Sequence, residues 1–446
     1  MKFEIPSGAA YILRILHGAG YESWLVGGCV RDLLRGVEPH DWDICTSARP
    51  EEVERCFAGH RIIETGLKHG TVTVLEDGNP YEITTYRTEG PYSDSRRPDY
   101  VAFVSSLESD LARRDFTMNA IALGLDGSLR DPFGGVGDIK AGLIRCVGEP
   151  AHRFREDGLR IMRALRFAAV LGCEIEERTA QAVHENRRML GHVAAERINV
   201  ELCKLLVGEK AGDILRQYPD VLCQFWPQLE PLVTLEQHSP WHCWGGWEHT
   251  IRAVEAAPAD GILRLTMLLH DIGKPGCKST DEKGIDHFYG HPSAGAKLSG
   301  QMLRALKFDN KTRERVGILV EHHDVQIPCQ DRSIRKWMGR LGTETFFQLL
   351  EVKRADSMGQ DYELVKDRFV ELEEMKAKAE EIVAQGQCLS LKDLSVNGKD
   401  VIAAGVVPGP EVGRVLNKLL ERVMNGDAAN QRQELLKLLD GERSGG

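Results

Sequence analysis

Apolar and polar positions alternate along the first third of the chain. TVTVLE (71–76) and YEITTYRT (81–88) keep the period of two that a half-buried strand requires, and FTMNAIALGLDG (116–127) continues in that style. The short apolar run WLV (24–26) meets Gly27 and Gly28, after which Val30 to Leu34 opens a helix. GPYSDSRRPDY (90–100), rich in Gly, Pro, Ser and charge, predicts a mobile loop between two strands. Beyond Asp131-Pro132-Phe133-Gly134-Gly135 the pattern turns helical, beginning with FREDGLRIMRALRFAAVLG (154–172). Near the end, Pro410 in a PGP turn is placed to open a helix. The fold class is therefore α+β: a head with a mixed β-sheet (1–145), then an all-α neck (146–205), body (206–365) and tail (366–446).

Composition narrows this picture. A length of 446 residues suits about three domains, and 42% hydrophobic with 28% charged residues describes a globular chain. No apolar run approaches the roughly 18 residues of a membrane helix, and MKFEIPSGAA lacks the pattern of a signal peptide, so a cytoplasmic protein without membrane contact is expected. The eleven cysteines contain no CxxC pair, which points to reduced thiols. A net charge of −10 disfavours binding polyanions through bulk charge, so any nucleic-acid contact must use a local basic patch. RRDF (113–116), RFRED (153–157) and the arginines at 160, 163 and 166 form one.

Chemistry concentrates in LVGGCVRDLLRGVEPHDWDI (25–44). With Trp42 in a strand, Asp41 and Asp43 share one face while Trp42 packs against a helix layer. Two such carboxylates suit Mg²⁺, which takes one or two protein carboxylates and fills its octahedron with water and phosphate oxygens. The glycine pair brings backbone N–H groups close to an anion. Arg114 in RRDFTMNAIAL can grip a triphosphate through bidentate hydrogen bonds. Glu82, on a strand, is a candidate third carboxylate.

Arg160, Arg163 and Arg166 recur every three residues, within about 120° of one helix face, with Asp157 one turn earlier. With only Glu156 and Asp157 close by in sequence to offset them, these arginines are expected to meet an external anion. An Asp157–Arg160 pair has a further use. The aspartate accepts from the exocyclic amine of cytosine or adenine and the arginine donates to the adjacent ring nitrogen, whereas guanine and uracil present the reverse pattern. At ~1–3 kcal/mol per bidentate contact, this favours C and A about ten- to a hundredfold.

GGxVRDxLxG with DxD, then RRDxxxNA, EDxxRxxRxxRF and ERINVEL (196–202), resembles the ordered motif set of class II tRNA nucleotidyltransferases, the CCA-adding enzymes, and their poly(A) polymerase relatives. The resemblance spans about residues 20 to 205. It implies template-independent addition of CCA to the 3′ end of tRNA from CTP and ATP, with tRNA rather than DNA as partner. Matched residue by residue, Asp41 and Asp43 are the metal-binding carboxylates; Glu82 is counted as catalytic with them from its strand position and not from the match. Gly28, Arg31, Arg114, Asp157, Arg160, Arg163 and Arg166 are nucleotide-binding. The chemistry implied is two-metal, with Mg²⁺ as cofactor.

The helical half carries a second pattern: His249, His270-Asp271 in LLHDIGKP, His291, His322-His323-Asp324 and Asp356. It resembles the HD metal-dependent phosphohydrolases, which implies His249, His270, Asp271 and Asp356 as ligands of a divalent transition metal, with His291 and His322 as candidates for a second ion. Competing readings are a partial CC- or A-adding enzyme, a poly(A) polymerase, an HD nucleotide phosphohydrolase with a regulatory head, and a non-catalytic RNA-binding protein. The acidic tail disfavours processive binding to generic RNA.

Overall fold

The computed structural model describes residues 3–66, 70–90, 101–238, 244–386 and 388–443, so positions 91–100 of the expected loop lie outside the described residues. Two compact units divide at Pro227 and Gln228. Positions 205 and 365 each fall within a helix, Ala195–Leu206 and Tyr362–Ala384.

The first unit opens with α1 (Ser7–Gly18), β1 (Ser23–Val26), α2 (Gly28–Leu34), β2 (Asp43–Thr46), α3 (Pro50–Cys56), β3 (Arg61–Gly66), β4 (Thr71–Glu76) and β5 (Asn79–Thr85). It continues through β6 (Arg87–Glu89), β7 (Val101–Phe103), α4 (Leu107–Ala112), β8 (Ala122–Leu123), β9 (Leu129–Arg130), α5 (Gly135–Ala141) and β10 (Leu143–Ile144). Helices then dominate: α6 (Pro150–Glu156), α7 (Leu159–Leu171), β11 (Glu174–Ile175), α8 (Glu177–Asn186), α9 (Ala195–Leu206), α10 (Ala211–Gln217) and α11 (Pro219–Phe225).

Seven strands form one sheet in the order β3-β4-β5-β2-β1-β8-β9. All neighbours are antiparallel except β2 and β5, which makes the sheet mixed as expected. On β4 the alternation is realised: Val72 and Val74 are fully buried while Thr71 and Thr73 are only half-buried. They join Leu13, Leu16, Leu25, Ile44, Val53 and Ile83 in the core beneath the sheet. Burial of each such side chain stabilises by about 1.5–3 kcal/mol. The run FTMNAIALGLDG yields only the two-residue β8, preceded by a 3₁₀ turn at Thr117–Asn119.

Among the described residues the second unit is helical apart from one hairpin. It comprises α12 (Glu230–Val233), α13 (Gly246–Ala256), α14 (Gly261–Leu269), α15 (Lys274–Cys277), the hairpin β12 (Ser279–Thr280) and β13 (Asp286–His287), and α16 (His291–Ala305). These are followed by α17 (Asn310–His322), α18 (Asp331–Leu341), α19 (Thr343–Met358), α20 (Tyr362–Ala384), α21 (Gly398–Ala403), α22 (Pro410–Asn425) and α23 (Arg432–Arg443). The apolar helix α14 starts where the Asp260 carboxylate accepts from the N–H groups of Ile262 and Leu263, both at 2.9 Å. It packs against α13, α17 and α19, and no described helix is long and apolar enough to cross a membrane. Pro410 opens α22 as its position predicts.

Candidate active sites

In the head, the end of β1 turns into α2 through Gly27, whose φ of 79° and ψ of −134° exclude ordinary side chains. A Cβ there would stand 3.1 Å from Arg114 Nη1 and 3.5 Å from Asp43 Oδ2. The turn thus brings the bare backbone between a guanidinium and a carboxylate. Strand β2 begins at Asp43, not at Asp41, so Trp42 lies just before the strand; it still packs, half-buried, on the core. Asp43 pairs directly with Glu82 across the parallel β2–β5 ladder. Burial, opposed by Arg114 but reinforced by Glu82 and Asp41, lifts the Asp43 carboxyl to about 6. A cation would relieve the raised Asp43 carboxyl, and an all-oxygen donor set suits Mg²⁺.

Arg114 is held by the fully buried Asp110, whose carboxylate lies 3.4 Å from its Nη2 and 2.8 Å from Arg113 Nη2. Among the described residues its buried Nε has no hydrogen-bond partner. Asp110 escaped the sequence reading, although its place three and four residues before the arginine pair on one helical turn was the available signal.

From α2 a continuous relay runs into the neck. Arg31 Nη1 donates to Asn119 Oδ1 at 3.0 Å, and Asn119 donates to Asp115 Oδ1 at 3.1 Å. Arg163 Nε donates to Asp115 Oδ2 at 2.8 Å, and Arg166 Nε donates to Glu201 Oε2 at 2.7 Å, with Arg163 Nη1 3.9 Å from the same carboxylate. Burial pushes Asp115 up, but Arg163 and Asn119 outweigh it and hold the carboxyl near about 2. The guanidinium groups of Arg31, Arg163 and Arg166 surround the Phe167 ring at 5.2, 5.3 and 3.6 Å from its centroid.

The expectation that the three arginines of α7 lack partners is therefore corrected. Their partners come from other elements, Asp115 from the turn after α4 and Glu201 from α9, besides Glu156 beside Arg160. Asp157 and Arg160 meet through the backbone, where the Arg160 N–H donates to the Asp157 carbonyl at 3.0 Å, and their side chains bond elsewhere. The Asp157 carboxylate accepts from Arg197 Nη2 at 2.8 Å and from the Leu159 N–H at 3.0 Å, while Arg160 Nη2 donates to the Arg113 carbonyl at 3.0 Å. Gly28, which opens α2, sits beside the Arg31 guanidinium.

In the second unit the side chains of His249, His270, Asp271 and Asp356 converge. His249 Nε2 lies 3.1 Å from His270 Nε2, 3.3 Å from Asp271 Oδ2 and 3.0 Å from Asp356 Oδ1. Both imidazoles and Asp271 are almost completely buried. Burial alone would lower His270, yet Asp271 and Asp356 lift it to about 10, and both carboxylates fall well below their ordinary range. Lys274 Nζ lies 2.7 Å from Asp271 Oδ2. A Cβ on Gly273 would strike the His291 carbonyl at 2.3 Å, so only glycine lets the HDIG turn meet the start of α16. His291 joins the centre, but its companion is His323; His322 packs instead on Trp337, ring to ring at 5.2 Å. Neighbouring helical positions point about 100° apart, and the sequence does not say which faces inward.

A mixed sheet that carries adjacent carboxylates beside a glycine turn and a half-buried arginine defines a nucleotidyltransferase head, and residues 23–145 match the family described as "Poly A polymerase head domain". Residues 172–218 match "Probable RNA and SrmB- binding site of polymerase A", and 294–439 match "tRNA nucleotidyltransferase domain 2". A CCA-adding enzyme of Limosilactobacillus fermentum is 37% identical over 96% of this chain and 94% of its own length. One of Geobacillus kaustophilus is 37% identical over 95% and 94%. The crystal structure of the Bacillus stearothermophilus CCA-adding enzyme in complex with CTP is similar with a TM-score of 0.71 at 30% identity, covering 98% of this chain and 97% of that one. The Thermotoga maritima enzyme complexed with tRNA shares the fold, with a TM-score of 0.59 at 19% identity. The chain belongs to the CCA-adding enzyme family.

Proposed function

We propose that this protein adds C, C and A without a template to the 3′ end of tRNA, from CTP and ATP, with Mg²⁺ at the head. The observation that carries this is the set of Asp43 and Glu82, paired across β2 and β5, with Arg114 and the bare Gly27 turn beside them. Asp41 and Asp43, with Glu82 adjacent, would hold Mg²⁺, which when bound supplies charge neutralisation of phosphate oxygens and lowers the pKa of the RNA 3′-hydroxyl. Arg114, anchored by Asp110 and with a buried unpaired Nε, orients the triphosphate. Arg31, Arg163 and Arg166, fixed through Asn119, Asp115 and Glu201, position the nucleotide against α7.

Asp157 and Arg160 read the base. Their bonds to Arg197 and the Arg113 carbonyl fix the carboxylate and guanidinium beforehand, so less side-chain entropy is lost when C or A arrives. Along the chain the order is head, base-reading neck, body and tRNA-binding tail.

The decisive experiment offers tRNA lacking its last three nucleotides, tRNA ending in CC, and an unrelated RNA, with single and mixed NTPs. Growth by three residues and then arrest, on tRNA alone, is expected. Unlimited adenosine on any RNA would mark a poly(A) polymerase, and arrest after CC or only on CC-ending tRNA would mark a partial enzyme.

A second reading is favoured by the convergence of His249, His270, Asp271 and Asp356: a metal-dependent phosphohydrolase in the second unit. Imidazole with carboxylate suits a borderline transition ion more than Mg²⁺. A His270→Ala protein that hydrolyses a model phosphodiester as fast as the parent would remove this reading.

A further inference from the structure

We propose that Phe167 is a positioning residue for the nucleotide, its ring being the platform on which Arg31 of the head and Arg163 and Arg166 of the neck are held in register. This rests on the reading that these arginines position CTP and ATP, and adds to it a group that carries no charge of its own.

The three guanidiniums come from elements far apart in sequence, Arg31 from α2 and the other two from α7. Their Cζ atoms lie 5.2, 5.3 and 3.6 Å from the Phe167 centroid, so one ring is common to them all. Their polar partners are divided. Asp32 and Asn119 take the donors of Arg31, Asp115 takes Nε of Arg163, and Glu201 takes Nε of Arg166. A guanidinium is planar, with its donors in the plane and its faces free for an aromatic ring. Carboxylates therefore fix each group at its edge, and the ring fixes its tilt.

Arg166 shows that the contact is built. Adjacent helical residues diverge by about 100°, and side chains at i and i+1 do not face each other. Arg166 nonetheless lies 3.6 Å from the ring of its own neighbour, so its chain folds back, and Glu201 Oε2, accepting from Nε at 2.7 Å, holds it there. Arg163 reaches the same ring by the ordinary i,i+4 spacing. Phe167 is itself pinned. It is almost fully buried and meets the Phe116 ring edge to face at 5.8 Å, and Phe116 directly follows Asp115, the partner of Arg163.

Water is nearly excluded from the cluster: the side chains of Arg31 and Arg166 are 11% and 14% exposed, and cation–π attraction strengthens with desolvation. Arg163, at 33%, is the most open of the three to an incoming anion. An aliphatic side chain would fill the space but present no negative face to these charges. Base choice does not run through the ring, because Asp157 and Arg160 have their own anchors in Arg197 and the Arg113 carbonyl.

The test uses the full-length chain with Phe167 replaced by phenylalanine carrying one, two or three ring fluorines, which drain charge from the ring face and alter its size little. KM for CTP and for ATP is expected to rise in parallel at each step, reaching about threefold or more with three fluorines, with kcat within about twofold and an unchanged thermal midpoint. Phe167→Leu should lose at least as much. A flat KM across the series, or a rise that tracks a falling thermal midpoint, overturns the platform. Arg166→Gln separates this from the reading beneath it. If that variant raises KM while the fluorine series stays flat, only the platform falls; if neither moves KM, the arginines do not position the nucleotide and both fall. A fluorine response with Arg166→Gln silent also overturns the platform, since the shortest of the three contacts would then carry nothing. Should Phe167→Leu unfold by circular dichroism, the fluorine series alone decides.

Discussion

Gly27 shows how much a single backbone conformation can carry. Its φ of 79° and the 3.1 Å approach of Arg114 both reject a Cβ. Gly27→Ala should cost about 1–3 kcal/mol of local strain and push Arg114 off the triphosphate site. We expect kcat/KM for CTP to fall at least about tenfold in a chain that still folds, as steady-state incorporation would show. Asp115 makes a complementary, pH-dependent prediction. Its folded carboxyl titrates at about 2, below the ordinary range of an aspartate in an unfolded chain, so its contribution is present above pH 4 and is lost as pH falls toward 2. Asp115→Asn should destabilise by about 2 kcal/mol at pH 7 and about half that at pH 3, read by urea unfolding. Asp41 and Asp43 stand out in the sequence because they sit within one short segment. His323 was not, because HH at 322–323 offers two helical directions and only the packing of His322 on Trp337 decides between them.

At the scale of elements, α7 and α9 work as one clamp. Glu201 on α9 holds both Arg163 and Arg166, and its side chain is almost fully buried. Breaking a buried pair from one side leaves an uncompensated charge, so Glu201→Gln should destabilise the first unit by roughly 3 kcal/mol. With the arginines loosened, KM for both CTP and ATP should rise together, several-fold, while the ratio between them changes little, since Asp157 and Arg160 have other anchors. A KM change confined to one nucleotide would assign Glu201 to base choice instead. The strands of the head were readable because Val72 and Val74 alternate with threonines on β4. The arginine partners were not, since Asp115 lies 48 residues from Arg163 and Glu201 lies 35 from Arg166. Pairing over such distances is set by tertiary contact, and local periodicity carries no trace of it.

For the whole molecule, two compact units with chemically different centres predict separable responses to metal. Ni²⁺ should prefer the imidazole-rich centre of the second unit over the all-oxygen site of the head. In calorimetry, Ni²⁺ at about a hundred times its Kd should stabilise one unfolding transition by about 2.7 kcal/mol and leave the other in place. His270→Ala should abolish that shift. If both transitions moved equally, the metal preference inferred from the donor sets would be wrong. The parallel pairing of Asp43 with Glu82 has a consequence for the birth of the enzyme as well as its action. Residue 82 follows residue 43 by 39 positions, and α3, β3 and β4 must be laid down between them. Non-local strand pairs close slowly because the entropy of the loop is lost before any contact rewards it. A chain emerging from the ribosome therefore holds no half-formed head site, and affinity for Mg²⁺ should appear in refolding only with the last, slowest kinetic phase.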